Sequence, residues 1–392
     1  MVDLSEYGFK ENPFPLTPDY RVTNWAGRED TKRLLLDVVQ SVLVTDTGLS
    51  EFVILLGTFG AGKTHSLRYL STLINEIEPH VYNSKAIYVP KVQIAPKISF
   101  LSIYFQIIQE LGNDFLKNLA SGIKDKIKKA AKNIGEQYDR EKERQLLESD
   151  PYFFINKAIE SVPREDRPMI ELLNALDNGD SSVEKFFLDG KTAITSSAFS
   201  QPINTDYMAI RVLAGLFRAM TIEINGQSTL FSGVHLFIDE VEELMEAKAA
   251  EQMSFWQAIR ELVNRLPYNF ALLLSFTADT ALLEATMPEA IAERTSRQII
   301  YFEALDIDEA KSFLSAHFES FRPEGYSPPQ PFHPFNEEAV DFILEQTVVL
   351  VPRKIFRSLR TVLERAIKRE GLEPGEEITA SLAEEIFIAM GI

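Results

Sequence analysis

The sequence predicts an α/β protein with a doubly wound parallel sheet, a mainly helical insertion and a small all-helical C-terminal domain. Short apolar runs such as 52–56 and 270–274 are separated by segments of helical periodicity. This is the pattern of parallel strands buried on both faces and joined by helices. After about Leu305 the apolar runs stop and only helical periodicity continues. A sheet followed by a helical domain is therefore expected.

The composition narrows the possible functions. The chain has 392 residues and no cysteine, which excludes disulfides, thiolate metal sites and thiol catalysis. Its net charge of −18 opposes non-specific binding to nucleic acid or anionic membranes, so any DNA contact needs a local basic patch. No apolar run approaches the length of a membrane span, and residues 1–14 lack the basic and apolar regions of a signal peptide. We therefore expect a cytoplasmic protein without membrane contact.

The predicted elements follow one another in a regular order. Residues 1–20, with Pro13, Pro15 and Pro18, are expected to form an extended arm. Residues 21–304 should form the sheet domain, with the insertion at about 112–205, and residues 305–392 the helical domain. The predicted strands are 51–57, 86–92, 234–238 and 270–276. The predicted helices outside the insertion are 28–44, 64–76, 100–111, 308–318, 337–346, 353–369 and 382–390.

A phosphate-binding pattern follows the first predicted strand. Residues 57–64 match G-x-x-x-x-G-K-[ST] and comprise Gly57, Thr58, Phe59, Gly60, Ala61, Gly62, Lys63 and Thr64. Glycines let successive backbone N–H groups turn inward around phosphate oxygens, and the following helix adds its positive N-terminal end. Lys63 would reach the β- and γ-phosphates, and the Thr64 hydroxyl would ligate Mg²⁺. The alternative, a glycine turn without a ligand, is the less favoured interpretation.

Two further strands end in polar residues that suit the same site. The strand 234–238 delivers Asp239 as a magnesium ligand and Glu240 as the group that orients or deprotonates the attacking water. The strand 270–276 is followed by Thr277, which could bond the γ-phosphate or the water, with Ser275 as the alternate. A hydroxyl satisfied by nearby backbone is the alternative for this strand.

Together these motifs resemble those of the AAA+ ATPases, with Walker A at 57–64, Walker B at 236–240 and sensor 1 at Thr277. The resemblance implies that the segment containing Gly27 and Arg28 packs around the adenine of ATP. It also implies that Arg353, which opens a helix of the C-terminal lid, is a sensor 2 arginine that reaches the γ-phosphate.

The resemblance extends to assembly. Arg294 and Arg297 fall where the family places its arginine finger, which completes the site of a neighbouring subunit. Residues 91–103 and the start of the lid at 305–310 are similar to the origin-recognition and replication-initiator clade. Residues 7–19 are similar to the start of the related general-secretion and transposition-regulator ATPases. The resemblance implies a Mg²⁺-dependent ATPase that self-associates in its ATP state and remodels or loads a macromolecular partner, with protein and DNA as candidates.

Other interpretations stay open at this point. The insertion, which makes the interval between Lys63 and Asp239 longer than is usual in the family, could hold a protein partner of a signalling or defence nucleotide switch. A nucleotide-stabilised scaffold without hydrolysis is a third possibility. Basic residues lie on one face of the helix 353–369 and in the insertion (Lys124, Lys126, Lys128, Lys129 and Lys132). Each group suits either a phosphate backbone or a solvated helix face.

Overall fold

The computed structural model describes residues 4–15, 19, 21–43, 49–92, 98–194, 198–278, 283, 287 and 298–390. Its centre is a five-stranded sheet in which all pairs are parallel, in the order β2-β3-β4-β1-β5. The strands are β1 (Glu51–Gly57), β2 (Ser84–Val89), β3 (Gly233–Ile238), β4 (Phe270–Phe276) and β5 (Ile299–Phe302). The α/β fold class and the four predicted strands are confirmed, but β2 begins two residues and ends three residues earlier than the predicted 86–92.

Helices surround the sheet and continue beyond it. Those of the sheet region are α1 (Glu29–Ser41), α2 (Lys63–Thr72), α3 (Pro79–Tyr82), α4 (Phe100–Gly135), α5 (Arg140–Ser149), α6 (Phe153–Glu160), α7 (Arg167–Asp177), α8 (Ser181–Asp189), α9 (Asp206–Thr221) and α10 (Ala249–Arg265). Those after the sheet are α11 (Ile307–Ser320), α12 (Glu337–Gln346), α13 (Pro352–Arg369) and α14 (Ala380–Met390). A five-residue π-helix, Leu73–Ile77, extends α2, and a 3-10 helix, Val241–Glu246, follows β3.

Each face of the sheet is covered by its own hydrophobic cluster. Alternate residues of a strand point to opposite faces, so Ile54 of β1 joins the cluster with α4, α9 and α10, while Val53 joins the one with α1 and α2. Every residue of β3 and β4 is buried, as the continuous apolar runs predict. The sheet is thus the rigid support for whatever its strand ends carry.

The helices of the insertion are not a separate module. α4 continues past the predicted end at residue 111 to Gly135, and only Gly112 departs from helical geometry, with φ 75° and ψ 161°. Its second half, together with α6, α7 and α8, shares one hydrophobic cluster with the sheet. By contrast α5 buries no residue, which confirms the solvated helix that its charged sequence predicts. Most of the insertion therefore adds helices to the layer that covers one face of the sheet.

The N-terminal arm belongs to the core of the C-terminal helices. Phe9 and Phe14 are buried and pack edge-to-face against Phe318 of α11. The buried guanidinium of Arg322 donates hydrogen bonds to the carbonyls of Gly8, at 2.9 Å, and His333. One turn of 3-10 helix, Ser5–Tyr7, interrupts the arm that its prolines predict as extended. The arm is therefore fixed to the lid by side-chain packing and by backbone hydrogen bonds.

Candidate nucleotide-binding site

The predicted phosphate loop joins the carboxyl end of β1 to α2. Gly60 and Gly62 adopt left-handed backbone conformations, with φ of 84° and 111°, which only glycine adopts without strain. The ammonium of Lys63 turns back over the loop and donates to the carbonyls of Gly57, at 2.7 Å, and Thr58, at 3.1 Å. Lys63 is buried and has no ion-pair partner among the described residues. The loop thus presents a buried cation without a matching anion.

The buried environment acts on the charge of that lysine. Desolvation lowers the pKa of the Lys63 ammonium below its ordinary value, whereas the negative charges of Glu242 and Asp239 act in the opposite direction. The positive charge of Arg353 lowers this pKa further, so Arg353 lies close enough to interact with the Lys63 ammonium. Two cations and two carboxylates therefore converge at the loop, an arrangement suited to a polyanion with a metal ion.

Asp239 lies at the carboxyl end of β3 and is almost completely buried. Its Oδ2 accepts a hydrogen bond from the Tyr88 hydroxyl at 2.8 Å, and its Oδ1 accepts one from the Glu240 backbone N–H at 3.0 Å. Tyr88 is itself on the neighbouring strand β2, and the guanidinium of Arg68 lies 5.3 Å from the centre of its ring. These hydrogen bonds hold the carboxylate in one orientation.

Glu240 follows in a left-handed conformation, with φ 48°, which is strained for a residue with a side chain. This turn separates the direction of Glu240 from that of Asp239 while both line the same cleft. Desolvation raises the pKa of the Glu240 carboxyl, and the charges of Asp239, Glu242 and Glu243 raise it further. A carboxylate with a raised pKa is a better proton acceptor than an ordinary one.

β4 lies between β1 and β3 and places Thr277 at the same edge. The pairing aligns Leu56 with Phe276 and Ile238 with Leu274, so Thr277 emerges level with the start of the phosphate loop. Its backbone N–H donates to Glu242 Oε2 at 3.2 Å. Both Thr277 and Ser275 line the cleft, and Ser275 is buried deeper. Both residues therefore lie at the candidate site.

The segment before α1 forms one wall of the cleft. Gly27 has φ 62°, and a Cβ there would lie 3.1 Å from the Cβ of Phe313 in α11. Arg28 turns its guanidinium to the Glu303 carbonyl and over the ring of Phe302, and desolvation lowers its pKa. The Trp25 indole donates to the Gly27 carbonyl at 2.6 Å. This wall is a compact turn that packs against α11 of the lid.

The ring of His65, in the first turn of α2, bonds the Asn24 carbonyl at 3.0 Å. Its ring and that of Tyr69 meet the Trp25 indole edge-on, at 6.3 and 5.2 Å between centres. These aromatic contacts attach the segment around Trp25 to α2. His65 therefore contributes to packing at this wall.

Arg353 approaches the phosphate loop from the lid. It stands in the first turn of α13, and its backbone N–H donates to the Gly60 carbonyl at 3.4 Å. Its guanidinium carbon lies 4.0 Å from the centre of the Phe59 ring. A Cβ at Gly60 would lie only 2.7 Å from the Cβ of Arg353, so the loop and the lid meet at a point that requires glycine.

A single cleft of about 360 Å³ brings these groups together. Its lining includes Arg28, Phe59, Gly60, Ala61, Gly62, Lys63, Thr64, Asp239, Glu240, Ser275, Thr277 and Arg353. Arg294 and Arg297 lie outside the described residues. Lys124 and Lys126 of the insertion do not face the cleft: Lys124 pairs with Asp177 at 2.5 Å, and Lys126 bonds the Ser228 carbonyl. These two contacts within the chain favour the structural interpretation of that part of the basic cluster.

Sequence reasoning missed several groups of the cleft. Lys10 and Asn12 line it from the N-terminal arm, and His317 lines it from α11. Glu242 lines it from the 3-10 helix after β3, and Tyr88, which does not line the cleft, holds Asp239 through its hydroxyl. No signal in the sequence identified Tyr88, because only the fold pairs its strand with the motif strand β3. The arm residues carry no such signal, since only the fold brings them to the cleft.

Comparisons with known proteins bear on the fold. No protein-family model and no curated protein sequence matches the chain. The ORC2 protein of Aeropyrum pernix, solved as ADPNP and ADP complexes, aligns with a TM-score of 0.53 at 12% identity, over 97% of this chain and 72% of that chain. The ORC1 protein of Aeropyrum pernix in complex with DNA gives 0.49 at 14%, over 98% and 70%. Domain III of the Thermotoga maritima replication initiation protein DnaA gives 0.41 at 14%, over 96% and 98%.

The likeness to the ORC2 protein shows the fold alone, because the identity is low. The chain has the AAA+ fold: a parallel sheet with the motif strands at its centre and a helical region after the last strand. In the described ranges, no helix is long and apolar enough to cross a membrane.

Proposed function

We propose that this chain binds ATP with Mg²⁺ in the cleft and hydrolyses it by in-line attack of water on the γ-phosphate. The observation that carries the proposal is the meeting of Lys63 from the phosphate loop, Asp239 and Glu240 from the end of β3, and Arg353 from α13 in one cleft. A buried ammonium that bonds only carbonyls of its own loop is a ready partner for phosphate oxygens. The AAA+ fold supports the same chemistry.

The donor set for magnesium fits an ion held mainly by a nucleotide. Within the described part of the chain, no three acidic or histidine side chains cluster as in a metal cage made by protein alone. Mg²⁺ keeps several waters and takes one or two protein ligands plus phosphates in such sites. Thr64 and the pre-oriented Asp239 would supply those ligands. The ion, when bound, neutralises phosphate charge and positions the oxygens.

The remaining groups have distinct roles in the proposed reaction. Glu240 accepts a proton from the attacking water or orients it, because its carboxylate is at the cleft and its pKa is raised. Thr277, with Ser275 as the alternate, bonds the water or the γ-phosphate. Arg353 stabilises the charge that develops on the transferred phosphoryl group. Gly27 and Arg28 shape the wall that receives the adenine.

The proposal extends to assembly. We propose that the ATP state self-associates, with Arg294 or Arg297 completing the site of a neighbour, and that it remodels or loads a macromolecular partner. DNA is the partner to test first, because α13 carries the exposed cations Lys354, Arg357, Lys368 and Arg369 on a protein of net charge −18. Stimulation of hydrolysis by DNA that disappears at high salt supports this partner.

A paired set of variants tests nucleotide binding and hydrolysis. Titration calorimetry of the full chain with ATP and Mg²⁺ should show binding that Lys63→Ala abolishes. Lys85→Ala is the matched control, because Lys85 is another largely desolvated lysine, positioned over the ring of Phe115 and away from the cleft. Glu240→Gln should bind ATP but release phosphate on the order of a hundredfold more slowly. Undiminished binding by Lys63→Ala, or normal hydrolysis by Glu240→Gln, contradicts the assignment.

A further inference from the structure

The ring of Phe59 is the most exposed apolar group at the cleft. Its exposed fraction is 64%, so it contributes little to the hydrophobic core. What it contacts is the guanidinium of Arg353, at 4.0 Å from the ring centre. An arginine over an aromatic face is attracted by the ring quadrupole. The side chain at this position of the phosphate loop therefore makes a specific contact with the lid.

The arginine in this contact has no ion pair of its own. Among the residues that the structure describes, no carboxylate lies within ion-pair distance of Arg353. The hydrogen bond from its backbone N–H to the Gly60 carbonyl fixes its backbone beside the phosphate loop. This close approach is possible because Gly60 has no side chain. The positive charge of Arg353 also lowers the pKa of the Lys63 ammonium. The guanidinium is thus held, uncompensated, beside the loop that would receive phosphates.

We propose that Phe59 is a positioning residue: its ring holds the guanidinium of Arg353 at the phosphate site, so that the chain distinguishes nucleoside triphosphates from diphosphates. The inference rests on the proposed function and adds the side chain that makes the distinction. A long arginine side chain loses rotamer freedom when it is fixed on a ligand, and a group that fixes it beforehand reduces that loss. The benefit goes only to a ligand that reaches the guanidinium, which is the one with a γ-phosphate.

The test compares two nucleotides and four proteins. The non-hydrolysable triphosphate AMPPNP and ADP, each with Mg²⁺, are titrated into the full chain as wild type, Phe59→Ala, Phe59→Leu and Phe59→Trp. Alanine and leucine remove the aromatic face, and leucine keeps apolar bulk. Both should raise the Kd for AMPPNP about two- to fivefold and leave that for ADP within about twofold. Tryptophan, which offers a larger face, should keep the wild-type ratio of the two constants.

A double-mutant cycle with Arg353→Ala completes the test. In that background Phe59→Ala should not change the AMPPNP-to-ADP ratio further, because the ring has lost its partner. The inference is overturned if Phe59→Ala weakens both nucleotides equally, tightens AMPPNP, or acts independently of Arg353, or if Phe59→Leu matches the wild type. If the wild type binds neither nucleotide, the proposed function fails, and this inference with it. If it binds both and Phe59→Ala keeps their ratio, only the inference fails.

Discussion

The hydroxyl of Tyr88 donates a hydrogen bond of 2.8 Å to Oδ2 of Asp239, which ties the proposed magnesium ligand to the neighbouring strand. Both residues are buried, so water does not compete with this bond. The side chain of Asp239 is therefore oriented by a group outside the predicted motif. Partners of this kind fix the direction of a metal ligand, and their loss typically lowers metal affinity about 10- to 100-fold.

Replacing Tyr88 by phenylalanine should weaken magnesium binding without unfolding the protein. The ring stays and only the hydroxyl is lost, so we expect the Mg²⁺ concentration for half-maximal ATPase activity to rise about 10- to 100-fold. Tyr104→Phe is the matched control, because its buried hydroxyl bonds the Phe187 carbonyl at 2.9 Å, away from the cleft. An unchanged Mg²⁺ requirement in Tyr88→Phe would show that Asp239 is oriented without this bond.

A methyl group at Gly60 should separate the lid from the phosphate loop. Gly60 and Gly226 both have positive φ, 84° and 73°, so alanine costs about 1 kcal/mol of backbone strain at either. Only at Gly60 does the new Cβ meet another atom, the Cβ of Arg353 at 2.7 Å, whereas at Gly226 nothing lies within 4 Å. Urea unfolding should therefore show a loss of about 1 kcal/mol for Gly226→Ala and a larger loss for Gly60→Ala.

AMPPNP titration should then separate them. Gly60→Ala is expected to lose about tenfold or more in affinity, since displacing a positioned group by a fraction of an ångström is costly. Gly226→Ala should bind as the wild type does. Equal affinities for the two variants would mean that the lid contact does not contribute to binding.

The strands of the sheet illustrate what the sequence could predict. β1, β3 and β4 are predicted within one residue at each end, because strands buried on both faces are continuous apolar runs. β5 was missed. It has four residues, only two of them buried, and its place is set by pairing with β1 rather than by a pattern of its own. The length of α4 was also missed. The backbone of Gly112 is not helical, with a φ of 75°, which agrees with the predicted end at residue 111, but the helix resumes after it and continues to Gly135.

The candidate site likewise contains residues that the sequence could predict and contacts that it could not. The phosphate loop, Asp239 and Glu240 could be predicted because their chemistry requires certain residues at fixed spacing along the chain. The Phe59–Arg353 and Tyr88–Asp239 contacts join residues far apart in sequence, and the types alone specify no partner. The structure supplies these contacts through the lid and the strand order, which a single sequence does not encode as a local pattern.

The acid side of the pH–rate profile should report on Glu240. Desolvation and the surrounding carboxylates raise its pKa, so as the pH falls the base is protonated earlier than an ordinary glutamate. Below that pKa, kcat should fall about tenfold per pH unit. Glu243→Gln removes one of the negative charges and should move the inflection to lower pH. Glu246→Gln, in the same 3-10 helix, is the control. If Glu243→Gln leaves the inflection in place, another group limits the rate in acid.

Stability in acid should depend on His235. This side chain is fully buried in β3, and within the described residues neither ring nitrogen has a hydrogen-bond partner. Desolvation lowers the pKa of His235 to about 3. The unfolded chain takes up a proton below about pH 6.5, whereas the folded protein does not until about pH 3. Unfolding therefore consumes a proton in this window, and the free energy of unfolding decreases as the pH falls through it.

His235→Leu should remove that dependence. Leucine is similar in size and leaves no buried polar atom unpaired, so at pH 7 the variant should be at least as stable as the wild type. At pH 5 its advantage should grow by ~2 kcal/mol, because one proton contributes about 1.4 kcal/mol per pH unit. Urea unfolding at pH 5, 6 and 7 measures both values. Parallel pH dependences for the two proteins would mean that His235 is already protonated in the fold, or that a polar partner compensates for its burial.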